Sequence, residues 1–402
     1  MRRQISVWSK IEMGPADPIL GISEAFKTDS NPNKINLGVG AYRDDKGKPW
    51  ILPSVKRAEE LLREADKEYD PISGNAKFCK LSQELQFGKV LENVATAQTI
   101  SGTGALRVAG EFFKTYYNKP LYLPTPSWGN HTPIFKNSGL SVKQYKYYDS
   151  KTCGLDFKGM TNDFNSIADG SIVLLHACAH NPTGVDPTLE QWTEILEIMK
   201  KKRHVVLFDM AYQGFSSGDP SKDASALRLF TEHSDELAGL AACQSFAKNF
   251  GLYGERVGTL SIVGRDAQEK EKILSQLKRV IRPMYSSPPI HGSRLVTSIL
   301  GNPELKAQWH KDLKTMSNRI FAMRSALQNN LTELGSTLDW SHISNQIGMF
   351  CFSGLKPEEV DLLKTEYSIY LTRDGRISMA GVSSDNVQYL AYSIHRVTKK
   401  RQ

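Results

Sequence analysis

The segment SFAKNFGLYGERVG, residues 245–258, sets a lysine where lysines seldom sit. Lys248 stands among small and apolar residues, just past a run that reads as a buried strand. A lysine drawn out of water holds its proton less tightly, and the neutral amine can attack a carbonyl. Arg256, eight residues on, offers a planar fork suited to phosphate, and Ser245 adds a hydroxyl on the same stretch. One reading is an amine that bonds a carbonyl cofactor beside a phosphate site. The other is a snorkelling lysine with a surface arginine.

Three further stretches carry polar groups of the right kinds. Ser101-Gly102-Thr103-Gly104 follows a strand-like stretch and opens a helix, so glycines, hydroxyls and fresh helix N–H groups make either an anion site or a plain capped turn. Asp209 ends the apolar run HVVLF and precedes Met210-Ala211-Tyr212. A carboxylate desolvated there needs a cation to stay charged, and a protonated pyridine nitrogen would serve; a strand-end aspartate capping the next turn is the simpler reading. Tyr212 offers a phenol three residues on. In HACAHNPTG, residues 176–184, the alternation His176-Cys178-His180 invites zinc. No fourth ligand lies near, so no metal is expected. Asn181-Pro182-Thr183-Gly184 reads as a rigid turn presenting the Asn181 amide.

These residues need a scaffold that gathers them. SIVLLHA (171–177) and HVVLF (204–208) are short apolar runs of strand length. Between them Thr188 and Gln191 form a capping box that starts a helix ending at the basic run 200–203. Residues 237–246 and 257–263 read as further strands. Strand and helix alternate with short connections, which predicts an α/β fold whose parallel sheet is flanked by helices. Ligands of such sheets bind at the carboxyl ends of the strands, where Asn181, Asp209 and Lys248 fall. The last ninety residues predict a smaller α/β unit: a strand at 347–352, a helix at 357–367, a hairpin over 369–378 around Asp374-Gly375, and a final helix at 385–399.

Composition narrows the class. The chain has 402 residues, 40% apolar and 23% charged, ordinary for a globular protein with a large core. Five scattered cysteines without a CxxC pair read as reduced thiols. No apolar run approaches the length of a membrane span, and no apolar stretch follows Met1-Arg2-Arg3-Gln4 as a secretory signal requires. A net charge of +8 and a pI near 9.0 favour anionic partners without choosing among them.

Taken in order, SGTGALR, HACAHNPTG, DMAYQGF and SFAKNFGLYGERVG resemble the aspartate aminotransferase family, class I enzymes of the type I pyridoxal-phosphate (PLP) fold. NLGVGAYRDDKGKPW, PTPSWGNHTPIF, YSSPP and GRISMAG extend the resemblance end to end. It implies a large domain with a mostly parallel seven-stranded sheet (47–314), a small α/β domain (14–46 and 315–402) and an N-terminal arm (1–13) reaching a partner subunit. It also implies reversible amino transfer between L-aspartate and 2-oxoglutarate, giving oxaloacetate and L-glutamate by a ping-pong route.

The same resemblance assigns roles. Lys248 holds PLP covalently and then serves as the base. Asp209 pairs with the pyridine nitrogen; Tyr212 and Asn181 bond the 3′ oxygen; Trp128 stacks on the ring, with His131 behind it. Ser101, Gly102, Thr103, Ser245 and Arg256 hold the phosphate, and Tyr69 reaches the phosphate of the neighbouring subunit. Arg376 takes the substrate α-carboxylate with Gly40 and Asn181. Arg282 takes the distal carboxylate across the interface of a homodimer with shared sites. Two departures, Ser287 and Asp70, fall near that interface and put its fine contacts in doubt. The stretches 8–20 and 348–352 look more like the mitochondrial form than the cytosolic one, which implies the mitochondrial matrix, with the cytoplasm as the alternative. An aromatic or broad-specificity aminotransferase on the same scaffold is the nearest rival. A basic-surface protein binding fatty acid, membrane or nucleic acid is the rival from another class, and nucleic acid is not an expected partner.

Overall fold

The computed structural model describes residues 6–14 and 18–401; the first five residues of the expected arm and residues 15–17 lie outside it. Seven strands form the central sheet: β1 (Val94–Ile100), β2 (Leu121–Thr125), β3 (Val142–Lys146), β4 (Ile172–His176), β5 (Val205–Met210), β6 (Gly239–Ser245) and β7 (Val257–Val263). Their order is β1-β7-β6-β5-β4-β2-β3. β7 runs antiparallel to both neighbours, and the remaining pairs are parallel.

The strands are apolar on both faces because helices cover both. On one side Val205 and Leu207 pack with Leu106, Val108 and Phe113 of helix Ser101–Tyr116. On the other, Val206 and Phe208 pack with Trp192, Leu196 and Phe230. Phe208, Trp192 and Phe230 meet edge to face or tilted, with centroids 5.1–6.1 Å apart. Each such ring contributes roughly 1.5–3 kcal/mol when taken wholly out of water. The two-residue period then decides where chemistry appears. Asp209 continues the Val205–Leu207 side, so it emerges beside the start of helix Ser101–Tyr116 and in register with His176.

The predicted capping box is present. Thr188 Oγ1 accepts the Gln191 N–H at 3.3 Å, Gln191 Oε1 accepts the Thr188 N–H at 2.9 Å, and the helix spans Leu189–Lys201. Thr188→Ala is expected to cost about 0.5–2 kcal/mol, read as a lower urea midpoint at unchanged slope. An unmoved midpoint would show that this pair does not carry the helix start.

A 31-residue helix, Pro303–Glu333, passes the expected division at residue 314 without a break. Its faces join the two units in one core: Trp309 and Leu313 pack with Phe250 and Phe215, while Leu327 and Leu331 pack with Ile343 and Leu390. In the C-terminal part Pro357–Tyr367 and Val387–Thr398 are helices, as the sequence predicts. The hairpin over 369–378 does not form. The Asp374-Gly375 turn exists, with the Gly375 N–H bonded to Thr372 O at 2.9 Å, but its arms part. Ile369–Tyr370 pairs in parallel with Ile35–Asn36, and Arg376–Ser378 pairs antiparallel with Phe350–Phe352. Among the described residues no helix is long and apolar enough to cross a membrane.

Candidate active site

A cavity with an empty volume of about 780 Å³ opens at the carboxyl ends of β5 and β6. It gathers Gly40, Ser101, Gly102, Thr103, Trp128, Asn181, Asp209, Tyr212, Ser245, Lys248, Arg256 and Arg376. Twelve of the fourteen residues expected at the site therefore line one space. The other two do not. Tyr69 is 84% exposed, and Arg282 lies on the surface of helix Ala267–Tyr285, donating to Ser286 Oγ at 2.8 Å.

Lys248 is held by the turn that follows β6. Phe246, Ala247, Asn249 and Phe250 are buried around it, and Phe250 stacks on Trp309 at 4.6 Å. The Trp309 indole N–H donates to Asn249 O at 2.8 Å. This wall of rings leaves the half-buried Lys248 side chain one way to go, into the cavity, with Nζ 5.2 Å from the Tyr212 ring centroid. Burial lowers the affinity of its amine for a proton; Asp209 opposes that effect and Arg256 adds to it.

Asp209 is 8% exposed. Its Oδ2 accepts His131 Nε2 at 3.0 Å, and His131 Nδ1 lies 2.7 Å from Ser127 Oγ. Burial alone would push this carboxyl up. The His131 hydrogen bond, with the fields of His131, His176 and Lys248, outweighs burial and holds it below the usual carboxylate range. Asp209 is thus an ionised carboxylate with one oxygen committed and the other available. His131 sits edge-on to Trp128, with centroids 5.3 Å apart, so it braces both the ring wall and the carboxylate. Tyr212 is buried, which pushes its phenol up while Arg376 pulls it down.

The end of the cavity nearest helix Ser101–Tyr116 is built for an anion. No side chain caps that helix, so the N–H groups of its first turn beyond Ser101 have no capping partner. Ser101 Oγ and Ser245 Oγ lie 3.0 Å apart, and the Ser101 N–H is tied to Arg256 O at 3.1 Å. Ser101 and Arg256 both have positive φ, 60° and 54°, bending the chain inward around one spot. Side chains are excluded there: a Cβ on Gly102 would come within 3.1 Å of Ser245 Cβ, and one on Gly258 within 2.5 Å of Gln244 O. Free helix N–H groups, two hydroxyls and a guanidinium fit a phosphate dianion.

At the other end Arg376 is buried, and its guanidinium has no carboxylate partner among the described residues. A buried cation without a counter-ion is a ready receptor for an acid. Among the described residues, His176, Cys178 and His180 do not bring three ligand atoms together. Burial pushes His176 down to about 3 and drives the Cys178 thiol far above its ordinary value. His180 stacks instead on Tyr147 at 3.9 Å. Among the described residues the group whose ligand atoms do converge, within 4.8 Å, is His131, His176 and Asp209. Phe350, Leu106 and Ala211 also line the cavity, and sequence reading assigned a role to none of the three. Phe350 had a signal, an aromatic residue in the strand that pairs with the Arg376 strand, but only the register reveals it.

The donor set therefore fits PLP: a phosphate cradle, a carboxylate for a protonated ring nitrogen, an aromatic cover and a facing amine. The fold and the site define the class, and sequence comparison agrees with it. The family model described as aminotransferase class I and II matches residues 32–394, and the chain belongs to that family. The mitochondrial aspartate aminotransferase of Xenopus tropicalis is 54% identical over 406 residues, covering 99% of this chain and 94% of that protein. Among solved structures, the cytoplasmic aspartate aminotransferase of Saccharomyces cerevisiae superposes with a TM-score of 0.96 at 43% identity, covering 98% of this chain and 99% of that one. An aromatic-amino-acid aminotransferase of Burkholderia pseudomallei, solved covalently bound to pyridoxal phosphate, gives 0.94 at 42% identity, covering 98% and 100%.

Proposed function

We propose that this chain moves an amino group reversibly between L-aspartate and 2-oxoglutarate, giving oxaloacetate and L-glutamate by a ping-pong sequence with PLP as cofactor. The observation that carries the reading is the pairing, in one cavity, of a half-buried lysine beside a phosphate cradle with a buried arginine that lacks a counter-ion among the described residues. The mitochondrial naming of relatives 53–54% identical along the whole chain supports a mitochondrial location.

PLP, when bound, supplies an electron sink for the amino acid's Cα and carries the amino group between half-reactions. The chain does the rest. Ser101, Gly102, Thr103, Ser245 and Arg256 grip the phosphate and fix the cofactor's place. Asp209, braced by His131, holds a proton on the ring nitrogen, since an ionised carboxylate nearby favours the charged form. Trp128 covers the ring face, and Tyr212 and Asn181 bond the 3′ oxygen. Lys248 Nζ takes the Cα proton and returns it, at the high effective concentration of a tethered base. Arg376 binds the α-carboxylate through two parallel charge-assisted bonds, and Gly40 leaves room for it.

A dicarboxylate needs a second cation. The cations lining the cavity are Lys248, Arg256 and Arg376, and each has a task. Arg282 and Tyr69 of a second copy would complete the site in a homodimer. The exposed apolar side chains Val7 (80%), Trp8 (72%), Ile11 (69%) and Met13 (97%) support the same reading, because an arm of this kind needs a partner surface. The division into arm 1–13, small domain 14–46 with 315–402, and large domain 47–314 belongs to this proposal.

The test is a substrate panel with 2-oxoglutarate as acceptor. Aspartate should give the highest kcat/KM and shift the cofactor's visible absorption, while alanine should not. The likeness to the Burkholderia enzyme keeps one rival alive. Phenylalanine turned over as well as aspartate would favour the aromatic or broad-specificity reading. No transfer from any amino acid would sink both.

A further inference from the structure

Hydrogen bonds hold the Arg376 guanidinium loosely. One terminal nitrogen, Nη1, reaches Asn181 Oδ1 at 3.5 Å, and the other, Nη2, reaches Gly38 O at 3.3 Å. Both lie beyond the usual N–H···O range. Nε has no hydrogen-bond partner among the described residues. What touches this side chain closely is a ring face, for Arg376 Cζ lies 4.2 Å from the Phe350 centroid. That ring is fixed from several sides. Phe350 is 3% exposed and pairs across the antiparallel ladder with Ser378, while Phe352 pairs with Arg376 itself. The Phe350 carbonyl accepts from the buried Arg324, and its ring meets Tyr212 edge to face at 5.9 Å and 81°. A Cβ on Gly40 would lie 3.9 Å from the tip of the ring.

We propose that Phe350 is a positioning residue for substrate binding: its ring face holds the Arg376 guanidinium in the plane from which it takes the α-carboxylate. The proposal rests on the assignment of Arg376 as the α-carboxylate receptor. A guanidinium lying on a ring keeps its N–H groups free around its own edge, which is where a carboxylate makes two parallel bonds. A hydrogen-bonding neighbour in the same place would occupy that edge and compete with the substrate. The negative face of an aromatic ring attracts a cation within about 6 Å, more so when both are out of water. The ring thereby offsets part of the cost of keeping this cation buried between turnovers. The same ring presses on Tyr212, so one apolar side chain sets two polar ones.

The experiment replaces Phe350 in the full-length holoenzyme with mono-, di- and trifluorinated phenylalanine. Shape changes little along this series, but the ring face steadily loses negative charge. KM for aspartate and for 2-oxoglutarate should rise stepwise, by about 30-fold in all, equal to about 2 kcal/mol at about 1.4 kcal/mol per tenfold. The kcat should hold within about twofold, because once bound the α-carboxylate itself fixes the guanidinium, so the ring's orienting effect is felt in binding and not in the chemical step. The KM of glutamate, which presents the same α-carboxylate, should rise by the same factor. Phe350→Leu, which keeps apolar volume without a ring, should match the trifluorinated protein. A flat KM along the series overturns the proposal. So does a rise in Phe350→Leu alone, which would make the ring mere filler. Thermal unfolding of each variant reads folding separately. Failure of the unsubstituted holoenzyme to use aspartate would count against the aminotransferase reading, not against the ring.

Discussion

Replacing Lys248 with alanine is expected to abolish amino transfer while leaving the cofactor in place. Lys248 is the one amine among the side chains that line the cavity, so no neighbour can take over its proton transfer. A positioned base contributes roughly 10²–10⁴-fold, and turnover should fall at least that far. Binding should survive, because the phosphate cradle and Asp209 lie outside the altered side chain. Ser101 and Ser245 keep their 3.0 Å contact whatever residue stands at 248. The measurement pairs single-turnover transfer from aspartate with borohydride reduction and peptide mapping. The parent chain should carry its label on the Lys248 peptide. The variant should lose the label yet retain the cofactor's absorption after gel filtration. Transfer at the parental rate would refute the lysine assignment. Loss of the cofactor altogether would show that the cradle cannot hold it unaided.

The fold was legible where information is local. Runs such as HVVLF and SIVLLHA are bounded by turn residues and covered on both faces, so they announced β5 and β4 within a residue or two. The Thr188–Gln191 capping box spans one helical turn and was readable from spacing alone. The small unit resisted because its pairings are non-local. Ile369 finds its strand partner at Ile35, across nearly the whole chain, and no turn dipeptide between 369 and 378 can signal that. The site divides in the same way. Asp209 and Lys248 follow apolar runs and stood out by contrast. The His131–Asp209 bond and the ring of Phe350 under Arg376 depend on register between distant elements, so neither was visible in the sequence. Tyr69 and Arg282 were singled out by resemblance only, and one chain does not bring them to the cavity.

Arg282→Ala should test that gap most sharply. In a single chain Arg282 is exposed and, among the described residues, its side chain bonds only locally to Ser286, so its loss should leave folding and cofactor binding unchanged. If a second copy carries it into the cavity, its loss strands the distal carboxylate of aspartate in a site with no spare cation. Breaking such a pair costs about 2–5 kcal/mol. That is a fall of roughly 30- to several-thousand-fold in kcat/KM for aspartate. Phenylalanine has no distal carboxylate and should lose little; an equal loss on both would refute the assignment. Mixing distinguishes a shared site from a self-contained one. In a dimer of one Lys248→Ala chain and one Arg282→Ala chain, one site lacks both groups and the other has both. Random reassociation makes about half of the dimers hybrid, so about a quarter of all sites should be whole. Activity should return to about that fraction from two nearly inactive parents. An Arg282 that served its own chain would give no recovery, because every site would then lack either the base or the arginine.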